Sequence, residues 1–259
     1  MIDIHSHILF SVDDGAKNID QSIKLLEQAI ELGYTHIVCS SHYYIDLYEN
    51  KDYDRNFEIL KEEIKNRNLK IDIHKGNEIR VSEEVFSKIN NINTINNSKY
   101  ILVEITNRTM YQACKNSLKK FIELGYKPIL AHIERYPSIK MKEFMELYNM
   151  GVIFQMNIKT IGNLSEKISY LLTRGYIKVV ATDSHNLEYR NYKLEKELTQ
   201  LKNLVGEKSF EELTKINPQN ILENKEINFE IKGESNDKQK NDTSNGIFKS
   251  FWSKLFSRT

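Results

Sequence analysis

Two histidines two positions apart close the opening run Met1-Ile2-Asp3-Ile4-His5-Ser6-His7. In a β-strand, residues i and i+2 point to the same face. A strand ending in His-x-His therefore presents two imidazoles side by side, a natural grip for a transition metal. Asp13-Asp14-Gly15 follows within one loop. Further donors recur after short apolar runs. His42 follows Ile37-Val38-Cys39, and Glu78 lies just beyond Ile71-Asp72-Ile73. Glu104 closes Tyr100-Ile101-Leu102-Val103, His132 closes Pro128-Ile129-Leu130-Ala131, and Asp183 and His185 follow Val179-Val180-Ala181. Together with His5, His7 and Asp14 they form a mixed nitrogen and oxygen set without thiolate. The set exceeds one coordination sphere, which points to two or three ions.

A single His or Glu at a strand end is as readily a satisfied structural residue. Recurrence along the chain is what favours the metal reading. His36 and His74 are given no metal role, because one falls at a strand start and the other inside a strand. His74 shares strand parity with Glu78, so it is a candidate for buttressing a ligand.

The elements that must position these residues alternate. Short β-like runs are predicted over 2–5, 36–40, 70–74, 100–105, 127–132, 152–156 and 178–182. Between them, Ile23, Leu26 and Ile30 step by helical spacing, as do Phe57, Leu60 and Ile64. Further helical segments are predicted over 113–124, 141–149, 165–174 and 192–204. Gly33, Gly125 and Gly175 follow three of these segments, where a left-handed cap is expected. Repeated βα units without a break in composition suggest one closed α/β barrel, with an open doubly wound sheet as the alternative. In a barrel the C-terminal strand ends converge on one face. Residues far apart in sequence then meet in one cup.

Composition narrows the function classes. The 259 residues carry a formal net charge of +1, which gives no global case for nucleic acid. Hydrophobic residues make up 40%, as in an ordinary soluble domain. The two cysteines, Cys39 and Cys114, have no CxxC partner, so a reducing cytoplasm is expected rather than a disulfide framework. The first residues lack the basic and apolar regions of a signal peptide. No apolar stretch approaches the roughly 20 residues of a spanning helix.

The motifs resemble the PHP superfamily, named for polymerase and histidinol phosphatase domains. They are most similar to its bacterial tyrosine-protein phosphatases of capsule and exopolysaccharide loci. The resemblance rests on Met1-Ile2-Asp3-Ile4-His5-Ser6-His7-Ile8, Val12-Asp13-Asp14-Gly15, Ser40-Ser41-His42 and Gly76-Asn77-Glu78-Ile79. It also rests on the Glu104 strand, Ala131-His132-Ile133-Glu134-Arg135-Tyr136, Asp183-Ser184-His185-Asn186 and Asn217-Pro218. It covers about residues 1–226. It implies a distorted (β/α)7 barrel of the PHP type. It also implies a metal site of His5, His7, Asp14, His42, Glu78, Glu104, His132, Asp183 and His185, with Arg135 and Arg190 binding phosphate. Mn²⁺ is the ion implied, with Fe or Zn²⁺ also compatible with such donors.

The implied activity is hydrolysis of phosphotyrosine on a protein. The expected partner is a membrane-associated bacterial tyrosine kinase with a tyrosine-rich tail. The alternatives are a small-molecule phosphomonoesterase, such as a histidinol phosphatase, and a non-catalytic regulatory or scaffold subunit. Metal ions suit phosphate hydrolysis because they lower the pKa of water and neutralise the phosphoryl oxygens. Paired guanidinium donors suit the remaining oxygens. The rival thiolate mechanism needs a Cys with an Arg six positions on. Neither Cys39-Ser40-Ser41-His42-Tyr43-Tyr44-Ile45 nor Cys114-Lys115-Asn116-Ser117-Leu118-Lys119-Lys120 provides one. Cys39 is read as barrel core and Cys114 as helix surface or packing. Tyr43, Tyr44, Tyr48, Tyr53, Tyr111 and Tyr136 are expected in or near rim loops, either stacking on substrate or simply packing.

Beyond residue 226 a flexible linker is expected over 227–246, where 233–246 in particular cannot build a core. Ile247, Phe248, Phe251, Trp252, Leu255 and Phe256 then recur at helical spacing. Lys249, Ser250, Ser253, Lys254, Ser257 and Arg258 occupy the other face. Residues 247–259 are thus expected to form a short basic amphipathic helix. It would lie at the inner face of the cell membrane, or else dock on the barrel or another subunit.

Overall fold

The structure is a computed structural model that describes residues 1–106 and 110–231. Seven parallel strands follow one another in sequence order: β1 (Ile2–Ser6), β2 (His36–Tyr43), β3 (Asp72–Arg80), β4 (Tyr100–Glu104), β5 (Lys127–Leu130), β6 (Ile153–Asn157) and β7 (Ile177–Ala181). Backbone bonds at the mouth join the ends of the sheet. Asp183 N donates to His5 O at 2.8 Å, and His7 N donates to Ser184 O at 2.8 Å. The result is the distorted (β/α)7 barrel, not the open sheet.

Helices α1 (Ile19–Glu31), α2 (Tyr53–Asn66), α3 (Tyr111–Glu123), α4 (Met141–Asn149), α5 (Glu166–Thr173) and α6 (Glu195–Val205) cover the outside. The connection after β3 is built from 3₁₀ segments at Glu84–Asn91 and Ile95–Asn97, which accounts for part of the distortion. Gly33, Gly125 and Gly175 adopt φ of 90°, 88° and 82°, the left-handed caps expected of them. Then come α7 (Glu207–Glu211), a π turn (Glu212–Ile216) and α8 (Asn217–Leu222).

Strand alternation sorts the core. Ile37, Cys39, Ile101, Val103, Leu130 and Phe154 face the helices. Val38, Leu102, Ile129, Ala131, Ile153, Val179 and Ala181 fill the barrel. Ile221 and Leu222 of α8, with Ile227, join this inner cluster. Residues 227–231, expected within the linker, pack on the barrel. Ile227 is buried, and the Tyr148 hydroxyl donates to Phe229 O at 2.6 Å. The rest of the expected linker and the amphipathic segment at 247–259 lie outside the described residues. Among the described residues, no helix is long and apolar enough to cross a membrane.

Two strands run further than expected. β2 continues to Tyr43, and β3 runs from Asp72 to Arg80 instead of over 70–74. Gly76-Asn77 sits mid-strand. A Cβ at Gly76 would stand 2.5 Å from Val38 Cγ1, so glycine lets the neighbouring inner side chain approach. Glu78 therefore belongs to the strand and pairs in register with His42.

Candidate metal centre

All nine proposed ligands meet at the C-terminal mouth. Their donor atoms form four overlapping groups, each with every atom within 4.8 Å of the others. One group is His7, Asp14, His42 and His185. A second is His5, Glu78 and His132, a third His5, His7 and Asp183, and a fourth His42, Glu78 and Glu104. His5 Nε2 lies 3.4 Å from Glu78 Oε2, 3.3 Å from Asp183 Oδ1 and 3.3 Å from His7 Nε2. His132 Nε2 is 2.7 Å from Glu78 Oε1, and His42 Nε2 is 3.3 Å from Asp14 Oδ1. The His7 ring centroid sits 3.7 Å from that of His185.

Backbone irregularities bring these side chains together. On β1, Ile2 and Ile4 belong to the inner cluster, so simple alternation would turn His5 outward with Asp3. The register against β2 shifts between Asp3 and Ser6, a bulge that lets His5 and His7 enter the mouth. His132 follows inward-facing Ala131, and it adopts φ 34°, ψ 56°. Asp183 adopts φ 57°. Left-handed backbone at a residue with a side chain costs about 1–3 kcal/mol and gathers at functional sites.

Residues outside the ligand set hold it in place. Gln155 Oε1 accepts from His132 N at 2.9 Å, which fixes the amide's orientation, and it faces His5 Nδ1 at 3.0 Å. His5 Nδ1 then donates to Gln155, which leaves Nε2 as the nitrogen that faces the carboxylates. Gln155 Nε2 donates to Asn157 Oδ1, and Asn157 Nδ2 donates to Asp183 Oδ2, both at 2.8 Å. Asp13 does the same for His7. Its Oδ2 lies 2.7 Å from His7 Nδ1 and accepts from His42 N at 2.9 Å. Gly15 closes this loop so tightly that a Cβ would stand 2.1 Å from His7 O. Asp3 is buried beneath, accepting from Thr182 Oγ1 at 2.6 Å and from the Tyr192 hydroxyl at 2.9 Å.

The β6 amides escaped sequence reasoning because strand 152–156 was the one run without a His or acid at its end. Their signal was a polar pair at i and i+2 in Phe154-Gln155-Met156-Asn157. His74 does not buttress Glu78. Its parity is right, but it lies four residues toward the other end, about 13 Å away along the strand. There its Nε2 faces His36 Nδ1 at 3.1 Å.

Electrostatics follow from this crowding. Burial opposes charge on His5, yet Glu78 and Asp183 raise its pKa to about 9. Burial likewise opposes charge on His42, but hydrogen bonds to Asp14 and Glu78 raise it to about 10. Burial and the neighbouring His7 push His185 down to about 2. Burial works against ionising Glu78 and Asp183, but His5 and the other cations hold both well below the carboxylate range. His185 Nε2 is buried without a hydrogen-bond partner. An orphaned nitrogen of this kind, in a set with no thiolate, fits a cluster of borderline or hard divalent ions.

Arg135 Nη2 meets Asp183 Oδ2 at 2.6 Å, and Arg190 Nη2 contacts Asp183 Oδ1. Asn186 Oδ1 shapes the Arg190 loop by accepting from the backbone N of Glu188, Tyr189 and Arg190. Of the tyrosines expected at the rim, Tyr43, Tyr44, Tyr53 and Tyr136 are buried. Tyr111 bonds Glu146, while Tyr48 lies parallel to the His42 ring. Long strand ends and tight loops draw most of these rings inward.

A family model described as capsular polysaccharide synthesis, CpsB/CapC, matches residues 1–223. The chain belongs to the CpsB/CapC family. It is 33% identical over 206 residues to the tyrosine-protein phosphatase CpsB of Streptococcus agalactiae serotype III (strain NEM316), covering 73% of this chain and 85% of that one. It is 32% identical over 238 residues to CpsB of Streptococcus pneumoniae, covering 86% and 98%. It also superposes with a TM-score of 0.80 and 26% identity on a solved structure from work on YwqE of Bacillus subtilis and CpsB of Streptococcus pneumoniae. That work describes both proteins as metal-dependent tyrosine phosphatases, and the match covers 88% of this chain and 96% of the other. The CpsB/CapC barrel is thus the PHP-type barrel that the motifs implied.

Proposed function

We propose that this protein is a metal-dependent protein-tyrosine phosphatase and that the nine clustered side chains hold two or three divalent ions, with Mn²⁺ as the native metal. The carrying observation is the convergence of nine nitrogen and oxygen donors in one mouth, in a chain of the CpsB/CapC family. The ions would supply positive charge against the phosphoryl oxygens and make a water more acidic. His5 presents Nε2 because Gln155 occupies Nδ1, and Asp13 orients His7 in the same way. Arg135 and Arg190 stand partly exposed beside Asp183, where they can donate paired hydrogen bonds to phosphate oxygens. A tyrosine phenolate, with a parent pKa near 10, leaves more readily than an alkoxide.

A thiol nucleophile has no support. Cys39 and Cys114 are both buried, and burial raises both thiols, Cys114 to about 12. The resemblance favours a membrane-associated tyrosine kinase as substrate, and through it control of capsule or exopolysaccharide synthesis. The basic amphipathic sequence at 247–259 supports peripheral membrane contact. The test is phosphate release by metal-stripped protein resupplied with Mn²⁺. A phosphotyrosine peptide is compared with histidinol phosphate, with His5→Ala/His7→Ala as control. Faster peptide turnover that the double variant loses is expected. Preference for histidinol phosphate would move the protein to small-molecule chemistry, and inactivity with both would favour a scaffold role.

A further inference from the structure

A third arginine stands at the mouth and takes no part in the scheme above. Arg80 ends β3, two residues past Glu78 and on the same face of the strand. Its guanidinium carbon lies 3.6 Å from the centre of the Tyr44 ring. Its Nε donates to Glu104 Oε1 at 3.1 Å. Tyr44 is itself fixed. Its ring sits 4.3 Å from that of His42 and 5.7 Å from that of Tyr48, and its backbone exchanges hydrogen bonds with Tyr48. The guanidinium is therefore held over an aromatic ring and anchored at one edge.

The Arg80 side chain nevertheless remains 41% exposed. An ion pair with one partner this exposed is screened by solvent, so Glu104 alone is a weak reason for this arrangement. The pair uses Nε, while the two terminal nitrogens carry four further N–H groups in a fork that matches a carboxylate or a phosphate. Stacking has already ordered the side chain, so less freedom is lost when it takes an anion. Glu104, the carboxylate it faces, is only 12% exposed. Arg135 and Arg190 converge on Asp183 beyond β5 and β7, whereas Arg80 stands on the β3 side.

We propose that Arg80, clamped on Tyr44, is a second anion subsite of the mouth that takes a negatively charged group flanking the reacting phosphotyrosine on the same peptide. The group is a flanking carboxylate or a second phosphate, which share this chemistry. This rests on the protein-phosphatase reading.

The test uses full-length, Mn²⁺-loaded protein and three phosphotyrosine peptides, with neutral flanks, with Asp/Glu flanks and with a second phosphotyrosine. The wild type is expected to favour at least one anionic peptide by about fivefold in kcat/KM, the scale of one exposed charge pair. Arg80→Gln brings that ratio to near one, mainly through KM, and Arg80→Lys restores part of it. Which anionic peptide responds identifies the source of the anion. An active wild type with no preference overturns the subsite alone. So does an Arg80→Gln variant with the wild-type ratio, or an equal loss on all peptides in both variants, which would mean that Arg80 acts only through Glu104. A wild type that turns over histidinol phosphate but no peptide overturns both the subsite and the reading beneath it.

Discussion

Replacing Gln155 with leucine tests whether the amides of β6 tune the metal centre. Gln155 is fully buried and its Oε1 meets two donors, His132 N at 2.9 Å and His5 Nδ1 at 3.0 Å. Leucine is close in size and accepts neither. An unsatisfied buried donor costs about 1–3 kcal/mol, so two give about 2–6 kcal/mol before relaxation. Part of this falls on folding and part on the metal, because His5 loses the partner that keeps Nε2 free for a ligand role. Losing a hydrogen-bond partner of a metal-ligating histidine typically weakens metal affinity 10–100-fold, or about 1.4–2.7 kcal/mol. The assay is phosphatase activity of chelator-stripped protein against Mn²⁺ concentration, with calorimetric titration of the metal alongside. The midpoint is expected to move to 10–100-fold higher metal, with most activity recovered at saturation. A midpoint within about twofold of wild type would refute the reasoning from hydrogen bond to tautomer to ligand.

Gly15→Ala is expected to displace the Asp13-Asp14 loop, because the added Cβ would meet His7 O at 2.1 Å. Overpacking of this kind costs about 1–3 kcal/mol, so both a lower melting temperature and a weaker metal response are predicted, and an unchanged pair would contradict the close approach. Arg135→Lys and Arg190→Lys lose the planar fork and should raise KM for an aryl phosphate by about tenfold; steady-state kinetics with unchanged KM would remove both from phosphate binding. In chelator-stripped protein, melting temperature should peak near pH 6.5. His5 and His42, raised to about 9 and 10, contribute stability that is full below about 6.5 and lost as pH rises through those values. His185, lowered to about 2, contributes stability that is full above about 6.5 and lost as pH falls, and the depressed Glu78 and Asp183 add a further loss below about 4.5. Melts that rise steadily through pH 10 would show that these histidines are not paired with the carboxylates.

Most of the proposed ligand set was legible in the sequence because its members follow hydrophobic runs, and a barrel carries such ends to one face; Asp14, in a loop, is the exception. The aiming of those side chains was not. Period-2 reasoning grouped His5 with His7 correctly, yet it would also have set His5 on the outward face of Asp3, and only the bulge after Asp3 resolves the conflict. His132 and Asp183 depend on positive φ, to which no neighbouring residue type points. Asp13 and Asp14 are chemically identical neighbours, and only the folded loop distinguishes them. Asp14 faces His42 and His185, while Asp13 lies behind His7. The amides of Gln155 and Asn157 carry no ligand signature, so a search for metal donors passes over β6. That strand nonetheless links His5, His132 and Asp183 through one chain of hydrogen bonds. A donor list read from sequence therefore names the atoms that can face a metal, while their relative affinity is set by neutral residues with no chemistry of their own. The Gln155→Leu titration separates these contributions, because it alters the second while leaving every donor in place.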